Sequence, residues 1–131
     1  MTDNSEIIIT EFAILPCSEI VYRALMKKKW INEDTGRIRP DAFFLRKHRE
    51  EIGLSVNIAA VCTPEDCAER FKCKAVASLH IGNVRNLGLD IVQDKFNHAN
   101  ITGLPYREDD LAEAERLAGL LAKQSRIIRV Q

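Results

Sequence analysis

Excess charge is the first thing this chain lacks: 19 Lys and Arg offset 19 Asp and Glu, for a formal net charge of zero. A nucleic-acid binder carries a basic footprint, so this balance argues against that class. No segment approaches the ~18 consecutive apolar residues of a membrane span. The polar, acidic start, Met1 to Glu6, lacks the charged-then-greasy pattern of an export signal, so the cytoplasm is the expected compartment. The six glycines are scattered and form neither G-x-G-x-x-G nor G-x-x-x-x-G-K, which excludes the familiar phosphate-cradling loops. No tight C-x2-C pair is present: Cys62, Cys67, Cys73 and His80 are separated by four, five and six residues. Zinc ribbons need closer pairs, so the cysteines, Cys17 included, read as free, mostly buried thiols, with no metal and no cofactor implied.

What the chain does have is enough apolar residues, 46% of 131, for one ordinary core. Three short segments alternate strictly. Leu54, Val56 and Ile58 interleave with Ser55 and Asn57; Ala77, Leu79 and Ile81 with Ser78 and His80; Ala99 and Ile101 with His98, Asn100 and Thr102. Alternation of this kind is the mark of a strand with one greasy and one polar edge. The polar edges hold only Ser, Asn, His and Thr. Short neutral hydrogen-bonding groups suit a shallow pocket or a packed interface better than a face that merely meets water.

Around these segments the pattern predicts a strand over Ile7 to Leu15, ended by Pro16, and a helix over Ser18 to Ile31, with a strand as the other option. A turn-rich loop, Asn32 to Pro40, leads to a short helix over Asp41 to Glu51, then a strand from Leu54 to Ala60. Thr63-Pro64-Glu65-Asp66 is the clearest helix start, and its helix runs to about Phe71. Strands follow over Lys74 to Ile81, Leu87 to Gln93 and His98 to Gly103, with turns at Gly82-Asn83 and at Asp94 to Asn97. Glu108 to Ser125 is an amphipathic helix; Arg126 to Val130 either extends it or forms an edge strand. Consecutive strands argue for an α+β fold: a single small domain, with a mostly antiparallel sheet of about five strands and helices packed on one face.

Several residues can carry chemistry. Ser55 and His98 can approach across the sheet, and strand parity offers Asp90 as the acid of a nucleophilic triad, although no Gly-x-Ser-x-Gly elbow exists. Arg23 beside Tyr22 can bind an anion, because guanidinium meets carboxylate or phosphate with two donors. Arg23, Ser55, Asn57, His98 and Asn100 are the candidate contacts; His80 reads as structural and His48 as surface. The cationic runs Lys27-Lys28-Lys29 and Arg46-Lys47-His48-Arg49 read as solvated surface, and Glu50-Glu51, Glu65-Asp66 and Asp109-Asp110 as helix-end charges.

Val21-Tyr22-Arg23-Ala24-Leu25, followed after a loop by Gly53-Leu54-Ser55-Val56, resembles the opening of compact NAD-processing folds, the ADP-ribosyltransferases and RES-type toxins. The resemblance implies that Arg23 and Ser55 line an NAD pocket. The chain departs from that pattern in lacking the Ser-Thr-Ser and Glu-x-Glu motifs and a late-strand glutamate. The expected function is that of a small soluble bacterial-type domain, a non-enzymatic interaction module for a protein partner or a second copy. The alternative is a nucleotide- or NAD-related binder or enzyme using Arg23, Ser55 and His98.

Overall fold

All three alternating segments are strands, and their register decides which side chains share a face. The computed structural model describes residues 12–130. In chain order its strands are β1 (Ile20–Ala24), β2 (Ile31–Asn32), β3 (Arg37–Ile38), β4 (Leu54–Ile58), β5 (Ala75–His80), β6 (Asp90–Lys95), β7 (His98–Thr102) and β8 (Arg126–Arg129). The α-helices are α1 (Pro64–Arg70), α2 (Ile81–Arg85) and α3 (Leu111–Gln124). Six strands form one antiparallel sheet in the order β6-β7-β4-β1-β5-β8, and β2 and β3 make a separate hairpin.

The fold is α+β. On one face Val21, Leu54, Val56, Ala77, Leu79, Ala99 and Ile101 meet Leu117, Ala118 and Leu121 of α3 and the fully buried Phe43. Burial of each such large side chain contributes about 1.5–3 kcal/mol. The other face is mostly polar, but Ala24 and Val76 on it need cover, and Cys67 and Ala68 of α1 supply it. One helix therefore lies on the face away from α3. Helix α1 starts where the sequence placed it: Thr63 Oγ1 accepts from Asp66 N at 3.0 Å, and Asp66 Oδ2 accepts from Thr63 N at 3.3 Å. Such a reciprocal cap satisfies two donors that the first turn leaves free.

Four local expectations are corrected. Ser18 to Ile31 is not a helix: it contains β1, a short 3-10 turn (Lys28–Trp30) and the start of β2. Strand β1 lies between β4 and β5 and is covered on both faces, so it lost the two-residue alternation that marks a half-exposed strand. Asp41 to Glu51 holds two 3-10 turns, Pro40–Phe43 and Lys47–Arg49, and no longer helix: Phe43 at the end of the first turn and Leu45 in the stretch between them are both buried in the core. Gly82-Asn83 sits inside α2, whose Ile81 and Val84 are buried. Residues 12–15 form no strand, and the rest of the segment Ile7 to Leu15 lies outside the described residues. Arg126 onward is an edge strand, the second of its two options. Among the described residues no helix is long and apolar enough to cross a membrane.

Candidate functional site

Register places Ser55 opposite Asn100, Asn57 opposite His98 and opposite Tyr22, and Tyr22 opposite Ser78. Ser55, Asn57, Ser78, His80, His98, Asn100 and Thr102 therefore emerge from one face. They do not have one role. Asn57 is 1% exposed beneath α1, where its Nδ2 donates to the Asn97 carbonyl at 3.1 Å and its Oδ1 accepts from Cys67 Sγ at 3.2 Å. Burial pushes the Cys67 thiol up to about 12, so it stays protonated and able to donate. Asn57 is a packing residue, unavailable to a ligand, because α1 covers the Ala24 end of the polar face.

Ser55, His98 and Asn100 stay half-buried and converge. Ser55 Oγ is hydrogen-bonded to His98 Nε2. His98 Nδ1 lies 2.6 Å from Asp94 Oδ1, and Asn100 Nδ2 donates to Asp94 Oδ2 at 3.0 Å. The acid is thus Asp94, not Asp90, which pairs instead with Arg85 at 2.9 Å. The register of β6 against β7 slips between Gln93 and Lys95. A bulge of this kind inserts one residue and re-aims its side chain, and here it turns Asp94 toward His98. Burial raises the Asp94 carboxyl, but hydrogen bonds from His98 and Asn100 outweigh it and hold the group below its usual range. Gly53 makes room for this arrangement: a Cβ there would stand 2.8 Å from the Asn100 Cβ.

Arg23 lies elsewhere. It stands opposite Ala77, on the α3 side of the sheet, while Tyr22 points to the other face. The two are not an anion-binding pair, because neighbours along a strand point apart. Strands β1 and β4 pair only at Val21–Ile58 and Tyr22–Asn57. Beyond that they part, and the Arg23 guanidinium spans the gap. Its Nη1 donates to the Ser55 carbonyl at 3.0 Å and its Nε to the Ala42 carbonyl at 2.6 Å. The group is only 6% exposed and lies 5.6 Å from the Trp30 ring centre. Burial lowers its pKa to about 10, which leaves it cationic at neutral pH.

Arg23 is also the floor of a cleft of about 170 Å³ walled by Lys27, Lys29, Arg46 and Arg107, with Asp41 as the one acidic lining residue. Arg46 is paired with Glu51 at 2.7 Å. Among the described residues Arg23, Lys27, Lys29 and Arg107 have no salt-bridge partner. Arg107 stacks on Phe44, 4.5 Å from the ring centre. Sequence reading assigned the two cationic runs to solvated surface and did not single out Arg107. The run beside the chain's one tryptophan was a usable signal for Lys27 and Lys29; nothing local marks Arg107, which tertiary packing brings in.

Among the described residues no three His, Cys, Asp or Glu gather as a metal site, and the four cysteines are unpaired. The chain matches no family model, no curated protein and no solved structure.

Proposed function

We propose that the protein binds a small phosphorylated ligand, of the nucleotide or pyrophosphate-bearing class, in the Arg23 cleft. The observation that carries this reading is a buried guanidinium whose hydrogen bonds go to two carbonyls and not to a carboxylate, with the nearby Glu51 hydrogen-bonded to Arg46. A buried cation without an anion in hydrogen-bond contact costs several kcal/mol, and two carbonyls only partly replace its water shell. Among the described residues only its Nε and Nη1 have hydrogen-bond partners, and Arg23 lines the cleft, so this reading gives the Nη2 donor to the ligand. A bound phosphoryl oxygen completes that shell, and Lys27, Lys29 and Arg107 supply further positive charge. The cleft is smaller than the ~300–1,000 Å³ that encloses whole ligands. It fits a phosphate or diphosphate, with the remainder of the ligand lying over the rim. The hydroxyl of Ser55 faces the opposite side, so a pocket shared by Arg23 and that hydroxyl is not part of this reading.

Calorimetry with inorganic phosphate, pyrophosphate, ADP and NAD at low salt tests it. The diphosphates should bind more tightly than phosphate. Arg107→Ala, at an exposed position, should weaken them by about tenfold, at the low end of the about 1.5–3 kcal/mol of one charge-assisted contact, and cost about 0.5–1 kcal/mol of stability from its lost stack on Phe44. A wild-type protein that binds none of the four at millimolar concentration ends the proposal.

A second reading, self-association or docking of a protein partner, is supported by the outer edge of β6, which pairs with no other strand among the described residues, with Phe12 to Leu15 lying near part of it. That strand ends the sheet, and Val92 and Phe96 are 49% and 72% exposed on and beside it. An unpaired edge is a template for another strand. Light scattering should then give a mass that rises with concentration for the wild type and stays monomeric for Val92→Lys. A concentrated wild-type solution that remains monomeric removes the self-association reading.

A further inference from the structure

The geometry points to Ser55 as an activated nucleophile for acyl transfer, with His98 as its base and Asp94 as the residue that positions the base. The site is separate from the Arg23 cleft, because the Ser55 side chain and the Arg23 side chain leave opposite faces of the sheet. An activated serine needs a base within hydrogen-bond reach and a third group orienting that base. All three are present. The Asp94 carboxylate accepts from His98 Nδ1 at 2.6 Å. That contact fixes the tautomer with its proton on Nδ1 and leaves the Nε2 lone pair on the Ser55 hydroxyl. Asn100 holds the other Asp94 oxygen at 3.0 Å, so the carboxylate cannot rotate without losing a second bond.

Two features separate this cluster from an inert polar packing group. Asp94 has no Lys or Arg partner among the described residues, so its charge is directed at the imidazole. The cluster also remains open to reagents: the side chains of His98 and Asp94 are 19% and 43% exposed. Three adjacent strands carry it, and sites on regular elements are held more firmly than sites on loops. It lies on a sheet face, not in a deep pocket, so a small ester with a good leaving group is the substrate class it fits.

The step balances as follows. The Ser55 oxygen bonds to the ester carbonyl carbon while its proton passes to His98 Nε2. The bond from that carbon to the leaving oxygen breaks and an aryl oxide departs, leaving the acyl group on Oγ, and the imidazolium gives its proton to solvent and becomes a neutral base again. Water then attacks the acyl carbon and gives a proton to His98, the bond to Oγ breaks, Oγ regains that proton from the imidazolium, and a carboxylic acid is released.

Para-nitrophenyl acetate is the probe. Release of nitrophenolate and peptide mass mapping on the wild-type protein should show acetyl on Ser55, which needs no variant to interpret. Ser55→Ala and His98→Gln should lose the Ser55 signal. Asp94→Asn should slow acylation by about 10²–10⁴-fold, since an amide can donate to Nδ1 and hold the tautomer whose Nε2 is protonated. Asp94→Glu keeps a carboxylate and should restore part of the rate, which a purely structural Asp94 would not require. Acetyl found only on Cys17 or on lysines, or a Ser55 rate unchanged in Asp94→Asn, overturns the proposal.

Discussion

Arg23→Gln should abolish pyrophosphate binding, with a loss of at least about 100-fold, or ~2.7 kcal/mol. The direct contribution is one charge-assisted fork, worth about 1.5–3 kcal/mol. The remainder comes from the cleft itself. The guanidinium sits 6% exposed between the Ser55 and Ala42 carbonyls, already oriented, so an incoming anion pays little to organise it. Glutamine retains a donor for one carbonyl and leaves the other short, at a stability cost of about 1–3 kcal/mol. Arg23→Lys separates charge from geometry. An ammonium keeps the charge but cannot bridge two carbonyls and a ligand at once, so an intermediate loss is expected. Calorimetry and urea unfolding with and without pyrophosphate measure both effects. In the wild type pyrophosphate should add about 2.7 kcal/mol of stability at a hundredfold excess over Kd; in Arg23→Gln it should add almost none. Wild-type affinity in Arg23→Gln would show that the surface lysines, not the buried cation, hold the ligand.

The residues of this cleft show where a linear reading runs out. Arg23 is visible as a candidate anion contact, but most of its surroundings are not, because Arg46 and Arg107 come from segments far from it in the chain. Half-covered elements were legible. The Leu54–Ile58 and His98–Thr102 strands kept their two-residue period, and Thr63-Pro64 announced its helix through local cap chemistry. Strand β1 was not legible, since cover on both faces erases periodicity and Ile20, Val21, Ala24 and Leu25 also fit a helical stripe. The acid of the serine cluster was missed by one structural event. Parity counted from Gly88 and Val92 selects Asp90, and the register slip between Gln93 and Lys95 breaks that count just before Asp94 matters. Parity correctly put Asn57 on the polar face, but parity does not say what lies on top of it.

Asn57→Asp tests that last point and carries the largest expected stability effect. The substitution changes size hardly at all. It replaces the Nδ2 donor, 3.1 Å from the Asn97 carbonyl, with an oxygen, in a site 1% exposed. As an anion the new group would face a carbonyl and lose its water, so its folded-state pKa must rise above the unfolded ~3.9, by several units in a fully buried site. The sign of the linkage follows. With the folded pKa above the unfolded one, the native state holds more protons between the two, and stability falls as pH rises through that window. Each unit costs about 1.36 kcal/mol, so a rise of two to three units removes about 3–4 kcal/mol at pH 8 and little near pH 4, where a protonated acid donates to the Asn97 carbonyl as the amide did. Asn57→Leu is the control: it leaves the Cys67 thiol without its acceptor and removes one of two hydrogen bonds to the Asn97 carbonyl, which Ile58 N still meets at 3.1 Å, at a cost of about 1–3 kcal/mol that does not vary with pH between 4 and 8. Urea unfolding across that range should therefore give a falling line for the first variant, relative to wild type, and a flat one for the second. Pyrophosphate affinity at pH 5 should be unchanged in Asn57→Asp, because the cleft is on the other side of the sheet. A flat profile for Asn57→Asp would mean that water reaches the side chain, that α1 does not seal this part of the sheet, and that Asn57 is open to a ligand beside Ser55 after all.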